Sequence, residues 1–263
     1  MRVTTYKNVY IHPTAVIYPG AELGENSYIG PYSVIESDVK LGRNCKLISH
    51  VVICGKVRIG DNNIFYPFTV IGGEPQDKKY KGEETEIIIG NNNIFREGVT
   101  VNRGTKTGIG KTVIGNNNMF MSYTHIAHDC IISDNITVAN GVHFAGHCIV
   151  EEGVVFGGVV GVGQFVRIGK YGMIAAGSMV ERNTPPFCLI GGDRAKPRGI
   201  NVVGLKRAGF SPQEIKELKL IYRKIYIKKN CNLLEEIKKL KEIVKSNCGR
   251  ELIAFIEKNR VIV

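Results

Sequence analysis

The chain contains no tryptophan and no apolar run of 18 residues anywhere in its 263 positions, so it has no segment that reads as a membrane-spanning helix. Its seven cysteines are an odd number without a CxxC pair. That count excludes a simple disulfide framework and the paired-thiolate spacing of a zinc ribbon. Cys45, Cys130 and Cys148 fall instead on small inward positions of the pattern described below, where a buried free thiol is expected. The opening stretch MRVTTYKNVYIHP lacks the apolar core of a secretory signal, and a cytoplasmic protein is the simplest expectation. No basic-plus-aromatic motif of the common nucleic-acid modules is present, so nucleic acid is not an expected partner.

What is present is a rhythm of six. Large apolar residues recur at Ile11, Ile17, Leu23, Ile29, Ile35, Leu41, Leu47, Ile53, Ile59, Phe65 and Ile71. The register returns at Ile89, Phe95 and Val101, slips by one residue, and runs on from Ile114 through Phe120, Ile126 and Phe144 to Val180. This period fits neither a helix nor a simple alternating strand; it marks a repeat in which each short strand ends in a turn. Four residues after the apolar position sits a small one, as at Ala15, Ser27, Cys45, Thr69, Thr124 and Cys130, with Gly, Asn and Asp between. The pattern predicts a parallel β-helix with 18-residue coils stacked about 4.8 Å apart. The usual crossover rule would favour a right-handed coil, although the period itself does not fix the hand.

The repeat organises the rest of the chain. Residues 1–190 are expected to form the solenoid, with the polar segment 72–88 looped out and a second break at 103–111. Residues 191–263 are expected to form a small α-helical domain that covers the last coil, with Ser211, Pro212 and Glu214 as a helix start. The net charge of +11 is uneven, because residues 186–263 hold 18 Lys and Arg against 8 Asp and Glu. That excess reads either as an ordinary solvated helical surface or as a landing site for an acidic partner.

Four of the six histidines, His125, His128, His143 and His147, fall within 23 residues. Counting in eighteens stacks His143 on His125, His147 on Asp129, Gly146 on His128 and Gln164 on Gly146. Gly146, without a side chain, leaves room beside the His128 imidazole, so the column reads as a cleft. An imidazole there can serve as general base, a polar rung hydrogen-bonded to its neighbours, or a zinc ligand. Asp129 could orient His128, but neighbours on a strand point oppositely, so their contact is not assured.

The motifs PQDKKYKGE, NRGT, THIAHDC, AGH, GQF, the PP pair and GLKRAGFS, in that order, resemble the UDP-N-acetylglucosamine O-acyltransferase family that opens lipid A synthesis. The likeness runs from residue 9 to about 225. It implies a left-handed parallel β-helix with a C-terminal α-helical domain, a homotrimer with sites between subunits, an acyl-carrier-protein donor, UDP-N-acetylglucosamine as acceptor, and neither metal nor cofactor. By the same resemblance His128 is the general base, Asp129 the acid beside it, and Gly146 a backbone contact at the thioester carbonyl. Gln76, Asp77, Lys79, His125, His147, Gln164, Asn201 and Arg207 fall on substrate-contacting positions, and Met173 and Ala176 on those that set acyl length. Gly163, Val203 and Ala208 depart from the family pattern, as does NRGT in place of HRGT. Alternatives are N-acylation of the 3-amino analogue of the sugar, a trimeric zinc carbonic anhydrase, and a purely structural solenoid.

Overall fold

The computed structural model describes residues 8–227 and 232–259. Strands of mostly two residues, beginning with Tyr10–Ile11, Val16–Ile17 and Glu22–Leu23, line up in three sheets of eleven, nine and eight strands. Within the coil the strands pair in parallel with those one coil away, as Tyr28 with Lys46 and Ile29 with Leu47. The result is a left-handed β-helix. The crossover rule fails here for a physical reason. It rests on the twist of long strands feeding a crossover helix, whereas two-residue strands carry little twist and no helix intervenes.

The residues explain the turns. The third residue after most of the large apolar ones lies at a corner with positive φ, a conformation that Asn tolerates better than most side chains. One corner accordingly carries Asn26, Asn44, Asn62, Asn92, Asn117 and Asn135, with φ between 56° and 61°. Beside it runs an inward ladder in which the Asn93 amide donates to Asn63 Oδ1 at 3.0 Å. The large apolar residues fill the interior, where Phe65, Phe95 and Phe120 stack with centroids 4.9 and 5.1 Å apart. Cys45, Cys130 and Cys148 are buried as free thiols.

Two insertions interrupt this regularity. Segment 74–85 leaves the coil between strands Val70–Gly73 and Glu86–Ile89, and 103–110 leaves it between Thr100–Asn102 and Lys111–Ile114. Rungs 18 apart elsewhere become 30 apart across the first and 25 across the second. The first adds two whole hexapeptides and preserves the phase; the second adds seven residues, which is the one-residue slip in the sequence.

The last coil ends in Cys188–Gly191, paired antiparallel with Lys196–Ile200. Helices α1 (Val202–Arg207), α2 (Pro212–Tyr222), α3 (Leu233–Ile243) and α4 (Asn247–Asn259) follow. Ser211 and Glu214 form a reciprocal capping box at the start of α2. The helices bury Leu205, Ile215, Leu218, Leu252 and Ile256, and they are tied to the coil by Tyr222 donating to the Pro197 carbonyl and by Lys170 paired with Glu251 at 2.7 Å. No helix among the described residues is long and apolar enough to cross a membrane.

Candidate active site

The nine-stranded sheet presents His125, His143, Gly161 and Met179 outward on successive coils. They form one wall of a cleft of about 570 Å³, which is also lined by His128, Gly146, Gly163, Gln164 and, from the first insertion, Gln76. A glycine at 146 is required by space. A Cβ there would lie 2.5 Å from His128 Cε1 and 2.7 Å from Nε2. Phe165 and His147 stack 4.4 Å apart and nearly parallel on successive coils, outside the residues that line the cleft.

His128 and Asp129 do meet, with Nδ1 2.9 Å from Oδ2. The alternation that would separate them holds only along a strand, and the strand ends at His125–Ile126. Asp129 stands at the corner with φ 60°, which swings its carboxylate back toward the imidazole. Both side chains are nearly or wholly buried. Burial would raise the Asp129 carboxyl, but hydrogen bonds from the Thr105 hydroxyl, His128 and the Thr105 amide outweigh it and hold the group below its ordinary value. An ionised carboxylate only accepts, so His128 Nδ1 carries a proton and, in the neutral ring, Nε2 has the lone pair. Nε2 bonds to no group among the described residues and belongs to a ring that lines the cleft.

His125 is held differently. Its Nδ1 lies 2.7 Å from the Thr100 hydroxyl one coil away. Burial, followed by the neighbouring His143 and His128, lowers its pKa, so the neutral ring is favoured. The nitrogens of His128 and His147 and an Asp129 oxygen fall within 4.8 Å of one another, a spacing a cation could bridge. Both Asp129 oxygens also accept protein hydrogen bonds.

Not every residue expected at the site comes to the cleft of a single chain. Asp77 and Lys79 lie in the 74–85 insertion, where the Lys79 amide closes a turn on Asp77 Oδ1 at 2.9 Å. Asn201 caps α1, accepting from the Gly204 amide, and donates to the Tyr171 carbonyl. Arg207 ends the same helix. Met173 stands on the eleven-stranded sheet, and Ala176 lies against Gly157. Of the departures, Gly163 would accept a Cβ in ordinary van der Waals contact, the nearest atom being the Val180 carbonyl oxygen at 3.4 Å. Val203 is exposed. The Asp129 donors Thr105 and Gly110 were not among the expected site residues; their traces in the sequence are the NRGT motif, which ends at Thr105, and the register slip at 103–111.

A parallel β-helix of hexapeptides with a carboxylate-held imidazole in an open flank cleft defines the class of hexapeptide-repeat acyltransferases. Comparison with known proteins agrees: residues 7–37, 38–73 and 111–146 match the bacterial transferase hexapeptide model, and residues 184–263 match the model of UDP-N-acetylglucosamine O-acyltransferase domain 2. The chain belongs to the UDP-N-acetylglucosamine O-acyltransferase family. It is 51% identical to the acyl-[acyl-carrier-protein]–UDP-N-acetylglucosamine O-acyltransferase of Xylella fastidiosa over 94% of both chains. Among solved structures, the UDP-N-acetylglucosamine acyltransferase of Francisella novicida superposes with a TM-score of 0.90 at 38% identity, covering 96% of this chain and 92% of the other. That of Campylobacter jejuni superposes with a TM-score of 0.90 at 35% identity, covering 96% and 98%.

Proposed function

We propose that the enzyme transfers an (R)-3-hydroxyacyl group from acyl carrier protein to the 3-hydroxyl of UDP-N-acetylglucosamine, the first step of lipid A biosynthesis. The observation that carries the mechanism is His128, with Nδ1 donated to a buried carboxylate at 2.9 Å and Nε2 left on the cleft side. Nε2 takes the proton of the 3-hydroxyl as its oxygen attacks the thioester carbonyl. The Gly146 amide donates to no group among the described residues and is placed to receive the oxyanion. Collapse of the tetrahedral intermediate breaks the carbon–sulfur bond, and the proton on Nε2 passes to the departing thiolate. Gln76, Asp77, Lys79, His125, His147 and Gln164 position the two substrates.

The working unit is a homotrimer. A corner of the coil exposes Tyr32, Phe68, Tyr123 and Val159 in one column at 58%, 64%, 71% and 67%, an apolar edge that a second copy can cover. Asn201, Arg207, Met173 and Ala176, which lie outside the single-chain cleft, then reach the site from the neighbouring subunit. Ala176 in place of glycine shortens the acyl chain the channel accepts. The basic carboxy-terminal third offers acyl carrier protein a complementary surface, and the described cysteines, all free thiols, suit a cytoplasmic location.

The test is an assay pairing UDP-N-acetylglucosamine and its 3-amino analogue with hydroxyacyl carrier proteins of graded length. Ester formation on the 3-hydroxyl, lost on His128→Ala in a protein that stays folded and trimeric, is the expected result. Turnover retained by that variant overturns the mechanism, and preference for the amine or for the longest donor corrects the acceptor or the chain-length reading.

A further inference from the structure

The seven residues added by the 103–110 insertion make something the bare repeat cannot: a set of donors aimed at Asp129. The Thr105 amide lies 3.1 and 3.0 Å from the two carboxylate oxygens, and the Thr105 hydroxyl lies 2.6 Å from Oδ2. The Gly110 amide reaches Oδ1 at 3.2 Å. The hydroxyl is itself oriented, because its oxygen accepts the Gly108 amide at 3.1 Å, which leaves its proton for the carboxylate. A side chain at Gly108 would collide with that carboxylate. Around Asp129 the titratable groups are His128 on its own turn, His147 on the next coil with Nδ1 at 4.0 Å, and the adjacent buried thiol of Cys130. No lysine or arginine among the described residues pairs with it, so neutral donors keep this buried charge in place.

We propose that Thr105 is a positioning residue of the acyl transfer, holding Asp129 ionised and aimed so that the carboxylate retains the Nδ1 proton of His128 and leaves Nε2 basic. This rests on His128 being the base. Thr105 is buried and outside the cleft lining, so it acts through Asp129 and leaves substrate binding alone.

The experiment compares full-length Thr105→Val, nearly isosteric but without the hydroxyl, with Thr105→Ser, which keeps it. Expected for Thr105→Val is a kcat about 10- to 100-fold lower, the worth of one hydrogen bond to a charged group, with KM within about twofold because no substrate contact is lost. In carboxyl-carbon NMR without substrate, Asp129 should titrate at higher pH in Thr105→Val than in the native enzyme. Thr105→Ser should restore kcat to within about threefold and return the titration. Native kcat in the valine variant overturns the proposal, and so does a loss that serine fails to rescue while the Asp129 titration stays put. A native enzyme inactive on UDP-N-acetylglucosamine would instead sink the proposed function, and the substrate-free titration would still decide whether Thr105 governs the carboxylate.

Discussion

Along one edge of the coil the left-handed corner position is filled by Asn26, Asn44, Asn62, Asn92, Asn117 and Asn135; along another it is filled by Asp129, His147 and Phe165, at φ of 60°, 64° and 63°. The backbone conformation is the same, and the side chains answer different demands. At the asparagine edge the residue suits its φ and serves its neighbours, as where Asn92 donates to Asn117 Oδ1 at 3.2 Å. At the other edge Asp129 and His147 are side chains that tolerate this φ, whereas for Phe165 it costs on the order of 1–3 kcal/mol. The corner geometry turns Asp129 and His147 toward His128, with 5.0 Å between the centroids of the two imidazole rings. One edge is built for stability and the other sacrifices some of it for a site.

The contrast can be broken in order of effect. Asp129→Asn removes the acceptor that fixes the His128 tautomer and should lower kcat by about 10³- to 10⁴-fold, as for other carboxylate–imidazole pairs, with the fold seen unchanged by circular dichroism. Gly146→Val drives a side chain into the imidazole and should cost about 100-fold in kcat/KM, as misplacement of a reacting group does. Asn117→Val should leave kcat alone and destabilise the protein by about 1–3 kcal/mol, read in denaturant, because a β-branched residue is forced to φ 58°. Equal damage to activity from Asn117→Val would erase the distinction between the edges.

The smallest effect is on pH. The folded pKa of His125 is depressed below 6.5, so the unfolded chain takes up its proton first on acidification. The neutral ring's contribution is complete above about pH 6.5 and declines as pH falls toward the folded pKa. Chemical melts at pH 7 and 5.5 should show this loss, diminished in His125→Gln. Asp129 behaves in the same sense at lower pH, since its ionised-state contribution is present above the ordinary carboxylate range and fades below it.

Much of this was legible in the sequence because a solenoid makes position arithmetic. The apolar series from Ile11 to Val180 marks the buried rungs, and counting eighteens finds the pairing of His125 with His143. The hand of the coil was not legible, since the rule that would set it depends on strand twist that two-residue strands lack. Nor was the His128–Asp129 contact, because it depends on a positive φ that the pair of names does not announce. Thr105 was hidden for another reason: an insertion has no repeat register, so nothing in the spacing says where its hydroxyl lands. Asn201 and Arg207 lie at the two ends of α1, outside the cleft, where the repeat arithmetic no longer applies.

The phenylalanine stack bears on how the chain folds. Phe65, Phe95 and Phe120 sit one above another, yet each junction between them spans an insertion, where closing the coil fixes a longer stretch of chain and the entropic penalty grows with its length. The three rings thus rivet the two seams of the solenoid. Coils on either side can zip up from neighbours close in sequence, whereas the one carrying His128 and Asp129 must wait for more distant partners to find each other. The proposed catalytic centre is therefore set where the winding is slowest to close, and a ring lost from this stack would register first as a delay in acquiring activity.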